Sequence, residues 1–199
     1  MEYTAEIQAF LKQFPFLSQE DIDQFLKIGR SVTLAKEDFF IREGVVCNKV
    51  GFLCKGILRT FYYSSNDEEV SYCFTFPGTF ISAYSSYLTG AGSVENIQAL
   101  EESQLIVIDK TELEALINEN TNWLLFSRLL AEQQYIEMEN RVLMLQREPA
   151  EVRYSNLINK QPDLLQKVPL QYIASYLGVT KRHLSRLRQN YKQKRTNVL

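Results

Sequence analysis

The chain has 199 residues, of which 45% are apolar and 23% are charged. These values are ordinary for a soluble globular protein and exclude a chain that is mainly disordered. No apolar run of about 20 residues occurs, and acidic residues stand where a secretory signal would carry basic ones, so we expect a cytoplasmic protein without a membrane span. The length predicts one or two domains.

Few side chains are suited to metal binding or nucleophilic catalysis. His183 is the single histidine, which argues against histidine-based metal sites and histidine-dependent catalysis. Cys47, Cys54 and Cys73 lie in apolar, strand-like segments without a CxxC spacing, so we expect buried, reduced thiols. The sequence therefore predicts no catalytic residue, no metal site, no cofactor and no enzymatic activity.

Charge is distributed unevenly along the chain, although the net charge is only −2. All 24 acidic residues lie at or before Asp163, whereas 8 of the 22 lysines and arginines follow it. This pattern predicts an acidic body that repels a polyanion and a basic end that binds one. On charge alone, a solvated basic tail without a partner is the alternative.

Two short helices are predicted first, over 3–13 and 18–28, the second with Ser18 and Asp21 at its start. From Arg30 to Asp109 the chain consists of short β-type runs separated by turn signals such as Lys55-Gly56. The runs are SVTLA, DFFIRE, KVGFLCK, ILRTFYY, VSYCFTF and QLIVID. Many short strands at near-regular spacing predict an antiparallel roll, barrel or sandwich.

Helical segments follow, one over 111–117 and a long one over about 121–146, which Pro149 terminates. Apolar residues of the long helix follow a 3.5-residue repeat that Arg128 interrupts. Such a stripe forms either intramolecular core or a dimer interface, and its place between two compact units favours the interface. The predicted interface residues are Leu124, Ala131, Tyr135, Met138, Val142 and Leu145.

The segment VPLQYIASYLGVTKRHLSRLRQ, residues 168–189, predicts a helix-turn-helix. Gly178 stands where the turn needs a residue that tolerates positive φ, and Thr180 can cap the second helix. Small Ala174 allows two helices to cross closely. The apolar positions predicted to be buried are Ile173, Ala174, Leu177, Val179, Leu184 and Leu187. A helical hairpin without a nucleic-acid role is the alternative.

In this motif the second helix enters the major groove with its N-terminal half. We predict that Lys181, Arg182 and Arg186 contact bases, because lysine and arginine reach guanine O6 and N7. Thr180 and Ser185 suit phosphate or less specific base contacts. Further predicted phosphate contacts are Gln171, Tyr172, His183, Arg188, Lys192, Lys194 and Arg195; His183 has a partly buried packing role as its alternative.

These segments together resemble the Crp/Fnr family of bacterial regulators over nearly the whole chain. The resemblance rests on IASYLGVTKRHLSRLR, on EPAEVRYSNLI at 148–158, and on VGFLCKGILRTFYY followed by EEVSYCFTFPGTF. It implies an α+β chain with a double-stranded β-roll of the cyclic-nucleotide-binding type over 1–118, a dimerisation helix over 119–148, and a winged helix-turn-helix over 149–199. It also implies a homodimer on a near-palindromic double-stranded DNA operator, with RNA polymerase as a candidate further partner.

Nucleotide-binding members of this family hold the cyclic phosphate with a Gly-Glu turn and a downstream Arg-Ser pair. Here Ser82, Ala83 and Tyr84 stand near the expected glutamate, and Ser93 stands near the expected arginine, with the Glu95 carboxylate close by. We therefore predict that cyclic AMP and cyclic GMP do not bind with useful affinity. An iron–sulfur cluster needs four thiolates, whereas this chain has three cysteines. A haem bound through histidine would have to use His183, which lies in the predicted DNA-binding helix. Either an unidentified small effector binds this region, or the roll is a scaffold.

This chain differs from the family pattern in two places. The family often places glutamate where this chain has Arg182, which predicts a different operator, and only 11 residues follow Arg188, so any wing is short or missing. The sequence thus predicts a DNA-binding transcription regulator. The alternative is a ligand-sensing or protein- or RNA-binding module that does not act on promoters. A cupin-like enzyme ranks third, because the metal-binding histidines are absent.

Overall fold

The computed structural model describes residues 4–162 and 164–196. Its elements, in chain order, are α1 (Thr4–Leu11), α2 (Gln19–Ile28), β1 (Arg30–Leu34), β2 (Phe39–Ile41), β3 (Lys49–Lys55), β4 (Leu58–Tyr63), β5 (Glu69–Thr75), β6 (Thr79–Ile81), α3 (Tyr84–Thr89), β7 (Asn96–Ala99), β8 (Ser103–Asp109), α4 (Lys110–Glu119), α5 (Thr121–Arg147), α6 (Ala150–Lys160), α7 (Leu164–Lys167), α8 (Leu170–Tyr176) and α9 (Lys181–Thr196).

The strands form two four-stranded sheets, in the orders β1-β8-β3-β6 and β2-β7-β4-β5. Apolar residues from both sheets fill the space between them, among them Leu53, Leu58, Ile97, Leu105 and Val107. This arrangement is the double-stranded roll that the sequence predicts. All six predicted strand runs are confirmed, whereas β6, α3 and β7 were not predicted.

Strand β3 shows why the central strands contain uninterrupted apolar runs. Leu53 faces the interior of the roll, whereas Phe52 and Cys54 face a second apolar cluster that α1, α2, α4 and the start of α5 build outside the sheet. A strand that is covered on both faces loses the alternation of polar and apolar residues. At the end of β3, Gly56 has φ +98° and lies so close to Ser103 that a Cβ would clash with it.

Helix α2 begins with the predicted cap. The Ser18 side chain accepts a hydrogen bond from the Asp21 N–H at 3.1 Å, and the Asp21 carboxylate accepts one from the Ser18 N–H at 2.8 Å. This capping box satisfies two N–H groups that have no partner inside the helix. At the outer cluster, the Phe25 ring of α2 stacks on the Trp123 ring of α5 at 4.7 Å.

The chain divides into two compact units. The first comprises the chain up to Tyr62 together with Cys73–Ala131, and the second comprises Tyr63–Tyr72 together with the chain from Glu132 onward. From Ala150 to Thr196 the described elements are all helices, so the predicted wing has no strand in this range. The domain boundaries predicted from the sequence stay predictions. In the described part of the chain, no helix has the length and apolarity needed to cross a membrane.

The three cysteines form no disulfide with one another; Cys47 and Cys54 are buried as predicted, whereas Cys73 is only half-buried. Burial, with a smaller contribution from Glu6, raises the pKa of Cys54 to about 11. A thiol with so high a pKa stays protonated and is a poor nucleophile or metal ligand. Among the described residues, no group of three or more histidine, cysteine, aspartate or glutamate side chains could hold a metal ion.

Candidate nucleic-acid interface

The turn between α8 and α9 has the geometry predicted for a helix-turn-helix. Gly178 has φ +64°, the left-handed conformation that glycine adopts without a Cβ penalty. The Gly178 N–H donates to the Ser175 carbonyl and the Val179 N–H donates to the Ala174 carbonyl, each at 3.0 Å. This pair of bonds is a Schellman motif, which ends α8 and reverses the chain within a few residues.

Helix α9 starts at the predicted cap. The Thr180 Oγ1 accepts a hydrogen bond from the His183 N–H at 3.2 Å, which satisfies one of the free N–H groups of the first turn. The His183 side chain is half-buried and belongs to the wall of a cavity. Both roles proposed for His183, phosphate contact and partial packing, are compatible with this position.

The two helices bury one apolar face, as predicted. Leu184 is fully buried, Leu187 is 4% exposed, and Ile173, Ala174 and Leu177 of the preceding helix are buried with them. Val179, which was also predicted to be buried, is half-buried. Packing of this kind holds α9 in place, since each fully buried leucine side chain contributes about 1.5–3 kcal/mol.

The opposite side of α9 is exposed and basic. Lys181, Arg182, Ser185 and Arg186 are all exposed, as the helical spacing predicts from the burial of Leu184 and Leu187. We call the exposed side chains of Lys181, Arg182 and Arg186 the cationic edge. Gln171, predicted to contact phosphate, lies at the start of α8, and its Oε1 accepts a hydrogen bond from the Lys181 Nζ at 3.0 Å.

Arg188 differs from the residues of the cationic edge. It is half-buried, and its charge and hydrogen bond lower the pKa of the Tyr154 hydroxyl against the larger effect of burial, which raises that pKa. Tyr154 in turn contacts the Tyr191 ring edge-on at 5.7 Å. Arg188 therefore links α9 to α6, and its predicted phosphate contact stays a prediction. Three further predicted phosphate contacts belong to α9, but their side chains lie outside the described part of the structure: Lys192, Lys194 and Arg195.

Two residues of α5 contact the helix-turn-helix and help to position it. The sequence did not predict this role for either residue. The Arg141 guanidinium donates a hydrogen bond to the Tyr176 carbonyl at 2.9 Å and lies 3.9 Å from the centre of the Tyr176 ring. Leu145 lies beside Gly178, with its Cδ2 3.6 Å from the position that a Cβ there would occupy. Both contacts join residues more than 30 positions apart, which local periodicity does not encode.

The predicted dimer residues form an exposed stripe along α5. Leu124, Tyr135, Met138, Val142 and Leu145 are between 37% and 67% exposed, and Ala131 is half-buried. Ile136, which was not predicted, adds a further exposed apolar side chain. The stripe is therefore not covered by the intramolecular core, although Leu145 also contacts the helix-turn-helix.

The predicted effector residues lie at the end of β6, at the start of α3, and before β7. The Ser82 hydroxyl donates to the Lys49 carbonyl at 3.0 Å, Ala83 is buried, and Tyr84 is exposed and stacks on Tyr87. The Ser93 hydroxyl is bonded within its own turn, since it donates to the Glu95 carbonyl at 2.7 Å and accepts from the Glu95 N–H at 3.1 Å.

Two main-chain N–H groups at Ser93 and Glu95 are already hydrogen-bonded within the protein. The Ser93 N–H donates to the Val45 carbonyl at 2.9 Å, and the Glu95 N–H donates to Ser93 as described. Burial raises the pKa of Glu95 to about 7, so this carboxyl group carries part of a negative charge near neutral pH. The turn thus offers no free amide at these two positions and places a carboxyl group beside them.

Comparison with known proteins gives the family of the roll. Residues 31–120 match the family model described as the cyclic nucleotide-binding domain. These 90 residues of the roll are therefore similar to cyclic nucleotide-binding domains. No curated protein matches the sequence.

Solved structures extend this likeness over most of the chain. FixK2 from Bradyrhizobium japonicum matches with a TM-score of 0.74 and 15% identity, over 84% of this chain and 86% of that one. A CooA mutant from Carboxydothermus hydrogenoformans matches with a TM-score of 0.66 and 17% identity, over 85% and 79% of the two chains. A regulator of the Crp/Fnr family from Eubacterium rectale matches with a TM-score of 0.69 and 13% identity, over 89% and 85%. The fold of this chain is thus that of the Crp/Fnr structures, which confirms the predicted fold class.

Proposed function

We propose that this protein is a sequence-specific DNA-binding transcription regulator. The observation that carries the proposal is the cationic edge: α9 exposes Lys181, Arg182 and Arg186 while Leu184 and Leu187 are buried. An α-helix fits the major groove, where arginine and lysine donate to guanine O6 and N7. The Crp/Fnr fold supports the proposal, since solved structures with this fold include transcriptional regulators.

We propose further that the protein acts as a homodimer through the exposed apolar stripe of α5. Exposed apolar side chains spaced along one helix lose contact with water when a second copy of the helix covers them. A two-fold dimer presents two copies of α9 to two half-sites about one helical turn apart, which predicts a near-palindromic operator. RNA polymerase is a candidate partner at such promoters, and the cytoplasm is the expected location.

The effector, if the protein has one, is proposed to be a small molecule other than cyclic AMP. Ser93 stands where the nucleotide-binding members have an arginine, and the N–H groups of Ser93 and Glu95 are bonded within the protein. A bidentate guanidinium contact and free amides are what a cyclic phosphate needs. We propose no enzymatic activity for the chain.

Electrophoretic mobility shift with fragmented genomic DNA tests the proposal, followed by sequencing of the bound fragments. We expect binding that weakens steeply as salt is raised, because displaced phosphate counterions drive it, and a fraction of fragments that is retained selectively. The enriched fragments are expected to share a near-palindromic motif. Failure to bind duplex DNA even in dilute salt, or preferential capture of RNA, would overturn the proposal.

A further inference from the structure

Ser175, near the end of α8, is hydrogen-bonded to the main chain at the start of β5. Its Oγ accepts a hydrogen bond from the Ser71 N–H at 2.7 Å and donates one to the Glu69 carbonyl at 3.2 Å. A carbonyl and an N–H two residues apart lie on the same side of a strand, so one hydroxyl bonds both as a neighbouring strand would. We call Tyr63–Tyr72, which packs in the second unit, the acidic arm.

The acidic arm carries three consecutive exposed carboxylate residues, Asp67, Glu68 and Glu69. Two of them, Glu68 and Glu69, line a cavity of about 780 Å³ within the second unit. The same cavity is lined by four of the residues predicted to contact DNA, which are Gln171, Thr180, Lys181 and His183. Carboxylates therefore stand beside the groups to which we propose that DNA binds.

The negative charges of Glu68 and Glu69 are expected to oppose DNA binding at this cavity. A carboxylate and a DNA phosphate repel each other, and the repulsion matters only within about 10 Å because salt screens longer distances. Carboxylates that share a cavity with the proposed DNA contacts fall in this range when DNA is bound there.

Building on the proposed function, we propose that the acidic arm is an autoinhibitory element. While Ser175 holds the arm against α8, Glu68 and Glu69 lower the affinity of the helix-turn-helix for DNA, and release of the arm raises it. The arm also lies within residues 31–120, the matched cyclic nucleotide-binding domain. A ligand bound by those residues would thus be connected along the chain to the arm, and through the two Ser175 hydrogen bonds to α8.

The test compares three variants of the full chain with the wild type, using fluorescence anisotropy of a labelled 40-base-pair duplex at about 0.1 M salt, where the screening length is about 10 Å. The double variant Glu68→Gln with Glu69→Gln removes both charges and keeps the main-chain contact with Ser175. Ser175→Ala removes the two hydrogen bonds and keeps the charges. The control, Glu101→Gln with Glu102→Gln, makes the same change of net charge at two exposed residues that do not line the cavity.

We expect the Glu68 and Glu69 double variant to bind DNA about three- to tenfold more tightly than the wild type, and this gain to shrink as salt is raised. Ser175→Ala is expected to tighten binding as well, and the control pair to leave it unchanged. Equal gains from both glutamate pairs, or no gain from Glu68 and Glu69, would overturn the inference. If circular dichroism shows that Ser175→Ala does not fold, the comparison of the double variant Glu68→Gln with Glu69→Gln against the control pair tests the inference by itself.

The inference and the proposed function fail in different ways. A wild type that ignores duplex DNA in dilute salt overturns both. A wild type that binds, together with a Glu68 and Glu69 double variant that binds no better, leaves the proposed function in place and removes the autoinhibitory role of the arm.

Discussion

Lys181, the first residue of α9, donates a hydrogen bond from Nζ to the Oε1 of Gln171 on α8, over 3.0 Å. The contact joins the exposed starts of the two helices of the helix-turn-helix. Gln171 keeps its amide N–H groups and Lys181 keeps two ammonium hydrogens for an anionic partner. The two side chains are therefore expected to bind DNA as a pair.

A double-mutant cycle tests this coupling. We expect Gln171→Ala and Lys181→Ala to be non-additive in DNA-binding free energy by about 0.5–3 kcal/mol, as is usual for residues in direct contact. Lys160→Ala, at an exposed lysine at the end of α6, replaces Lys181→Ala in the control cycle and is expected to be additive with Gln171→Ala. Additivity in the first cycle would mean that the two residues contact DNA independently.

Arg186 is expected to contact a base. Substituting Arg186→Ala should weaken binding to the enriched operator by about 1–3 kcal/mol and relax specificity at one position of each half-site. Binding constants on the operator and on unrelated duplex of the same length provide the measurement, with Lys160→Ala as the control for loss of one positive charge. If both duplexes lose the same free energy, Arg186 contacts phosphate instead.

Dimer formation is expected to depend on the exposed stripe of α5. Met138→Glu places a charge on the stripe, whereas Gln134→Glu places the same charge at an exposed polar position of the same helix. In sedimentation velocity we expect the wild type and Gln134→Glu to be dimers and Met138→Glu to dissociate, because an unpaired charge is costly to bury. A dimeric Met138→Glu variant would place the interface elsewhere.

The stability of the first unit is expected to depend on pH through Glu95. The pKa of Glu95 is about 7 in the folded chain because of burial, against an ordinary value of 4.5. The folded state therefore holds this proton more tightly, so the contribution of Glu95 to stability is greatest below about pH 4.5 and is lost as pH rises through about 7. Glu95→Gln, which carries no charge at any of these pH values, should abolish this fall.

Urea unfolding followed by the fluorescence of Trp123, the single tryptophan, measures the effect. At pH 8 we expect Glu95→Gln to raise the free energy of unfolding by about 2 kcal/mol, a figure reduced for the partial exposure of the side chain. At pH 4 the two proteins should be alike. Glu101→Gln, at an exposed glutamate, serves as the control and should follow the wild type at both pH values.

Cyclic AMP is expected not to bind. Titration of the protein with a fluorescent analogue should give no saturation at micromolar concentrations, because Ser93 provides no guanidinium and the neighbouring N–H groups are bonded within the chain. A protein of known cyclic AMP affinity is the positive control. Saturable micromolar binding would show that other groups of the roll hold the phosphate.

Local signals in the sequence located most of the elements. The helix start at Ser18 and Asp21, the six apolar strand runs and the turn at Gly178 each depend on a few neighbouring residues, and all are confirmed. The elements β6, α3 and β7 were missed because, with three to six residues each, they are too short to show a period.

Part of the candidate site was likewise predictable. The burial of Leu184 and Leu187 fixes, by helical spacing, the exposure of Lys181, Arg182 and Arg186. The contacts that position this helix were not predictable, because they join residues far apart in the chain. Arg141 reaches the Tyr176 carbonyl, and Ser175 bonds the main chain at Glu69 and Ser71.

The sequence by itself determined the kind of elements, the basic end of the chain and the helix-turn-helix, because periodicity, caps and turn residues act over a few neighbouring positions. Only the tertiary structure decided that Ser93 is hydrogen-bonded within its own turn, and that Glu68 and Glu69 line one cavity with Lys181. These relationships depend on how distant segments pack, and a one-dimensional pattern does not contain the distances between them.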